Sequence, residues 1–165
     1  MNIYITGIGV ISAIGLNVQE NFEALKNKKT GIAPINILNF KENQLVGEVK
    51  LSNETLVNQL NVPSPISRTS LLGIAAAKEA WGDNQHNDSI RTGIISSTSV
   101  GGMDNSEIYY QQKVNQEEAD ISLITTHDSG DTTERIAQAL NISGYINTLS
   151  TACSSGANAI MLGAR

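Results

Sequence analysis

The sequence predicts an α/β fold, with helices packed on a mostly parallel or mixed sheet. Three observations carry that expectation. Short runs rich in β-favouring residues recur at IYIT (3–6), GIIS (93–96) and YINTL (145–149). Each run passes into a turn of Gly, Ser and Thr, and helical patterns with capping residues recur between the runs. Alternation of this kind points to strands joined by crossover helices.

The first run, residues 3–6, has almost no polar relief, as expected of a strand buried on both faces. GIGVISAIG (7–15) follows, and its glycines permit a tight turn. Asn17 reads as an N-cap, with Glu20 completing a capping box. Val18, Phe22 and Leu25 give the next helix an apolar stripe, and Gly31 lies just past its basic end at Lys26, Lys28 and Lys29. Residues 32–62 contain Pro34 and several Asn and admit a strand or hairpin near 45–49. SPISRTSLLGIAAAKEAWGDN (64–84) reads as a helix, with Ser64 as cap, Pro65 at the first helical position and Gly82 as stop. Its Ala-rich middle suggests close packing against a neighbour. RTGIISSTSVGG (91–102) is a second buried strand entering a glycine turn, and residues 103–120 are polar and partly helical. Asp131 and Glu134 frame another capping box, opening a helix through Ile136, Ala137 and Leu140. YINTLST is a third strand, and CSSGANAIMLGAR begins a last helix. That helix stops at Arg165 without a cap or returning strand, so the 165 residues are expected to be the front portion of a longer, truncated domain.

Composition narrows the function. Hydrophobic residues make up 40% and charged residues 16%, which is a globular balance. A net charge of −5, with no more than two adjacent Lys or Arg, argues against a nucleic-acid surface. One cysteine excludes an internal disulfide and a multi-cysteine zinc site, so no metal is expected. The N-terminus has no basic leader, and no apolar run approaches a membrane span. A cytoplasmic protein is expected.

Several residues invite chemistry. GIGVISAIG suggests a dinucleotide fingerprint, but Ser12 stands where the third glycine is required. His127 and Asp128 could join a Cys-His-Asp arrangement, although adjacent His and Asp in such a loop more often serve turns and caps. His86, in GDNQHNDS, reads as a solvated loop residue. Cys153 falls between a strand and a helix start, where the helix N-terminus favours a thiolate and its N–H groups can hold an oxyanion. Cysteine is also among the most buried residue types. From these residues alone, nucleophile and packed thiol both stand.

Three segments resemble one family. IYITGIGVISAIGLNVQENFEALKNKKTGI (3–32) is similar to the opening V-T-G-x-G-x-x-S-x-x-G and first helix of the β-ketoacyl-acyl carrier protein synthases. RTGIISSTSVGG resembles their strand and glycine turn beside the acyl pocket, and TACSSG (151–156) their nucleophile motif T-A-C-[AST]-[ST]-G. The resemblance implies the first half of a thiolase-like fold over residues 1–165. It implies that Cys153 accepts an acyl chain from the phosphopantetheine arm of acyl carrier protein, that malonyl carrier protein then extends it by decarboxylative condensation, and that no bound cofactor takes part. It also implies a homodimer, with Val100 lining the acyl pocket. The family's two histidines and lysine lie downstream of its cysteine, and this sequence has 12 residues after Cys153 with neither. The piece alone is therefore expected to be inactive in condensation. Ser97 and Ser99 stand where many members have glycine, and ISLITTHDSGDTTERIAQAL (121–140) is unusually polar, so substrate class stays open. The alternatives are a non-catalytic ketosynthase-like partner subunit, against which Cys153 counts, and an α/β protein-binding module.

Overall fold

A computed structural model describes residues 2–37, 44–83 and 89–165. The His86 loop lies outside the described residues. Helix α1 (Val18–Lys26) is followed by strands β1 (Ile32–Pro34) and β2 (Leu45–Gly47), which pair antiparallel as the expected hairpin. Helices α2 (Asn53–Leu60) and α3 (Arg68–Trp81) come next. Strand β3 (Ile94–Ser97), α4 (Met103–Val114), α5 (Ser129–Ala139), β4 (Ile146–Leu149) and α6 (Ser155–Gly163) complete the order. Strands β3 and β4 pair in parallel, with Ile94 opposite Ile146 and Ser97 opposite Leu149. The mixed α/β class and the parallel pairing match the expectation.

The core lies where α2, α3 and α5 meet: Leu56, Ile66, Leu71, Ile74 and Ile136 form one buried cluster. Fully burying a side chain such as Leu71 or Ile74 contributes roughly 1.5–3 kcal/mol. Hydroxyls then tie the helices to the strands. Ser67 caps α3 by accepting the Ser70 N–H at 3.1 Å, and the Ser70 hydroxyl reaches Thr132 of α5 at 3.1 Å. Thr133, fully buried on α5, hydrogen-bonds Ser96 of β3 at 2.6 Å and also Thr148 of β4.

Local details depart from expectation in instructive ways. Residues 3–6 form no strand: Ile3, Tyr4 and Ile5 are 60, 75 and 85% exposed. The segment instead leads into Gly7 and Gly9, which press onto α3. A Cβ added at either would lie 2.0 and 1.8 Å from the Ala80 and Ala76 carbonyl oxygens, so only glycine fits there. The Ala-rich stretch of α3 is the surface that receives them. In α1 the Asn17 cap forms, its side chain accepting the Glu20 N–H at 2.8 Å, while the Glu20 carboxylate accepts the Leu16 N–H. The buried face of α1, however, is Asn21 and Ala24, with Phe22 and Leu25 turned outward. Asn21 has the stronger claim inward because it bonds the Ser12 hydroxyl and the Gly15 and Asn17 carbonyls. Lys28, not Gly31, takes the left-handed φ of 54° after α1. Helix α3 starts at Arg68 because Ser67 rather than Ser64 supplies the cap, and Gly82 ends it as expected. Helix α5, in contrast, starts earlier than expected, capped by Asp128, whereas Asp131 pairs with Arg135 at 3.2 Å one turn on. Among the described residues no helix is long and apolar enough to cross a membrane.

Candidate active site

Parallel strands direct their carboxyl ends to one edge, and open α/β sheets place their sites there. At that edge β3 enters the turn Thr98-Ser99-Val100-Gly101-Gly102, and β4 enters Ser150-Thr151-Ala152-Cys153-Ser154. The two turns touch: the Ser99 hydroxyl lies 3.5 Å from both the Ala152 carbonyl oxygen and the Ser155 hydroxyl.

The cysteine turn is a single 3₁₀ turn, Ala152–Ser154, running directly into α6. Side-chain hydroxyls hold it. Ser155 Oγ accepts the Thr151 N–H at 2.8 Å and donates to the Ala152 carbonyl at 2.7 Å. Ser154 Oγ donates to the Thr151 carbonyl at 2.9 Å, and the Asn158 amide donates to Thr151 Oγ1 at 2.9 Å. Ala152 takes φ of 53°, in the left-handed region. Cys153 therefore stands exposed on a braced turn at the amino end of α6, outside the core.

The glycine turn is fixed from the opposite side. Gly101 has φ of 56°, and a Cβ there would lie 2.3 Å from the His127 carbonyl oxygen. One at Gly102 would lie 2.1 Å from that of Thr126. Thr126 is fully buried and accepts from the Asn105 amide at 3.0 Å. Val100, at the tip, is 52% exposed. It lines a groove of about 530 Å³ with Ser99, Met103, His127, Asp128, Ser129, Gly130, Thr148 and Ser150. Ser150 is three residues before Cys153, so its Cα lies within roughly 10 Å of the cysteine's.

His127 and Asp128 do turn and capping chemistry. His127 Nδ1 hydrogen-bonds Ser106 Oγ at 2.8 Å, and Asp128 Oδ1 accepts the Gly130 N–H at 2.6 Å. Neither is hydrogen-bonded to Cys153 among the described residues. The Ser106–His127 pair and the Ser99–Ser155 contact between the two turns escaped sequence reading, since contacts over 21 and 56 residues leave no local pattern. A larger cavity of about 890 Å³, lined by Ser89, Arg91, Gly144 and Tyr145 among others, opens at the amino ends of β3 and β4 and so faces away from the cysteine. No cluster of three or more metal-ligating side chains occurs among the described residues.

Comparison with known proteins identifies relatives of this chain. The family described as "Beta-ketoacyl synthase, N-terminal domain" matches residues 1–165. A curated relative, 3-oxoacyl-[acyl-carrier-protein] synthase 2 of Coxiella burnetii, is 27% identical over 107 residues, covering 61% of this chain and 26% of the relative. Among solved structures, a ketosynthase (ApeO) in complex with its chain length factor (ApeC) from Xenorhabdus doucetiae superimposes with a TM-score of 0.76 at 25% identity. That match covers 98% of this chain and 42% of the other. The ishigamide ketosynthase/chain length factor shares the fold, with a TM-score of 0.78 at 23% identity over 96% of this chain and 44% of its own. The chain thus spans less than half the length of these relatives.

Proposed function

This chain belongs to the β-ketoacyl synthase family through its N-terminal domain, and on that premise we propose that Cys153 is its acyl-accepting nucleophile. The observation that carries the reading is the exposed thiol on a hydroxyl-braced turn, beside a groove at the carboxyl edge of β3 and β4. In the first half-reaction the Cys153 sulfur attacks the carbonyl of an acyl thioester on acyl carrier protein. The carrier's thiol leaves with the proton, and the acyl group is held on sulfur. In the second, malonyl carrier protein loses carbon dioxide, and the resulting carbanion attacks the Cys153 thioester. This releases the cysteine and leaves a 3-oxoacyl chain two carbons longer on the carrier. Val100 packs beside the acyl chain in the groove.

Residues 1–165 form one unit of this enzyme, and taken alone they do not condense. His127 is the one histidine among the described residues, and it is engaged with Ser106 and stands apart from the thiol's hydrogen bonding, so the described residues offer no histidine pair for decarboxylation. The enzyme needs no bound cofactor, since its substrates carry their own phosphopantetheine. It works in the cytoplasm as a homodimer.

Intact-mass analysis of the full-length protein incubated with acyl carrier protein thioesters tests this. One acyl group is expected on Cys153, and Cys153→Ala is expected to lose both that adduct and malonyl-dependent elongation. Elongation that persists in Cys153→Ala would overturn the assignment. Elongation by residues 1–165 alone would overturn the requirement for more than this unit.

A further inference from the structure

We infer that Asn158 is a positioning residue for acyl transfer: its amide holds the Thr151 hydroxyl away from the Cys153 N–H, leaving that N–H free to receive the thioester oxygen. The inference rests on Cys153 being the acyl-accepting thiol and adds a residue that acts through its backbone.

The composition of α6 is the first observation. In SGANAIMLG (155–163), Asn158 is the one polar side chain apart from Ser155. Asn is a poor helix former, because its amide competes for nearby hydrogen bonds. Here the amide reaches back over the turn that carries the thiol. Nδ2 donates to Thr151 Oγ1 at 2.9 Å and to Ser154 Oγ at 3.3 Å, so it grips residues on both sides of Cys153.

The state of Thr151 is the second observation. Thr151 occupies the cap position of the turn Ala152–Ser154. A threonine there ordinarily accepts the N–H of the second or third residue that follows, and in this chain those are Cys153 and Ser154. Thr151 makes no such bond. Its φ of −128° and ψ of 39° turn it from the extended cap conformation, and its hydroxyl oxygen is taken by the Asn158 amide and by the Ser154 hydroxyl at 3.0 Å. A hydroxyl oxygen has two acceptor lone pairs, so none is left for the cysteine's N–H. The Ser154 N–H is engaged by the Thr151 carbonyl at 3.3 Å, whereas the Cys153 N–H has no hydrogen-bond partner among the described residues.

That free N–H matters to the chemistry. When the Cys153 sulfur attacks a thioester, negative charge builds on the carbonyl oxygen. A backbone N–H with no other partner stabilises it without reorganisation. The C–S bond to the donor then breaks, and the donor thiol carries away the proton of the Cys153 S–H. An N–H capped by Thr151 would first have to lose that bond.

The test compares two reactions of Cys153 in the full-length protein, both followed by intact mass. One is acylation by the hexanoyl thioester of N-acetylcysteamine, and the other is alkylation by iodoacetamide. Acylation passes through an oxyanion, whereas displacement at the iodoacetamide carbon needs no oxyanion donor. Asn158→Leu keeps the size and removes both donors. It is expected to slow acylation roughly tenfold, part of the loss seen when an oxyanion donor is removed, with alkylation changed by less than about twofold. Adding Thr151→Val to Asn158→Leu removes the competing hydroxyl and is expected to bring acylation back close to the unaltered rate. Unchanged acylation in Asn158→Leu, equal slowing of both reactions, or no recovery in the double variant overturns the inference while leaving Cys153 as nucleophile. If Asn158→Leu does not fold, Asn158→Ala is read by the same criteria. Failure of the unaltered protein to acylate Cys153 overturns the ketosynthase reading itself.

Discussion

Ala152, immediately before the thiol, takes a backbone conformation that its residue type disfavours. Its φ of 53° places an L-residue in the left-handed region, at a cost of about 1–2 kcal/mol. Ser155 accounts for its persistence: the hydroxyl bonds the Thr151 N–H and the Ala152 carbonyl, closing the turn on both sides of the strained residue. Replacing Ala152 by glycine removes the strain but adds roughly 0.5–1 kcal/mol of unfolded-state entropy. Ala152→Gly is therefore expected to gain about 0.5–1 kcal/mol in urea denaturation, and a loss would mean that the methyl group packs. Ser155→Ala should act oppositely, removing the partner of the Thr151 N–H and of the Ala152 carbonyl at about 1 kcal/mol. It should also change the rate at which iodoacetamide alkylates Cys153. An unchanged rate would show that Ser155 braces the fold and not the thiol.

At the scale of elements, the site exists because two strand-to-helix turns are held against each other and against α5. The β3 turn is pinned by contact: Gly101 and Gly102 lie on the carbonyls of His127 and Thr126, so a methyl group at Gly102 would meet backbone that cannot move aside. Overpacking of this kind costs about 1–3 kcal/mol or more. Gly102→Ala should lower the thermal midpoint and displace the amino end of α4, carrying Val100 and Met103 with it. Stability equal to the unaltered protein would show that the turn is plastic. The strands are pinned differently, through the buried Thr133, whose hydroxyl meets those of Ser96 and Thr148. Thr133→Val keeps the shape and removes the hydroxyl. A loss of about 2 kcal/mol is expected from the groups left under-satisfied, measurable as a shift in urea midpoint without a change in slope.

At the scale of the molecule, what the sequence made legible and what it hid have the same physical root. Helix caps at Asn17 and Gly82 and the strands around Ile94 and Ile146 were readable because their causes are local: a side chain within three residues, or a run of β-branched residues. The cysteine motif was readable by resemblance, but its contact with the glycine turn was not, because Ser99 and Ser155 are 56 residues apart. Residues 3–6 misled for the complementary reason. An apolar run announces burial without saying against what, and here the neighbouring contact is made by Gly7 and Gly9 on α3. What fixes that segment is a long-range feature with no sequence pattern, the Glu79 carboxylate. Its Oε2 accepts the Val10 N–H at 2.9 Å and its Oε1 the Val18 N–H at 2.7 Å, so one side chain of α3 holds the glycine segment and the start of α1 together. Hydrogen bonds to a charged acceptor contribute roughly 1.5–3 kcal/mol each when partly shielded, and these two are partly exposed, which favours the lower end. Glu79→Ala is accordingly expected to cost about 2–3 kcal/mol, concentrated at one end of the molecule. In native-state hydrogen exchange the Val10 and Val18 amides should lose protection by at least tenfold, while those of β3 and β4, tied independently through Thr133, should change much less. A uniform loss across both regions would show that the glycine segment and the strand pair open as one cooperative unit.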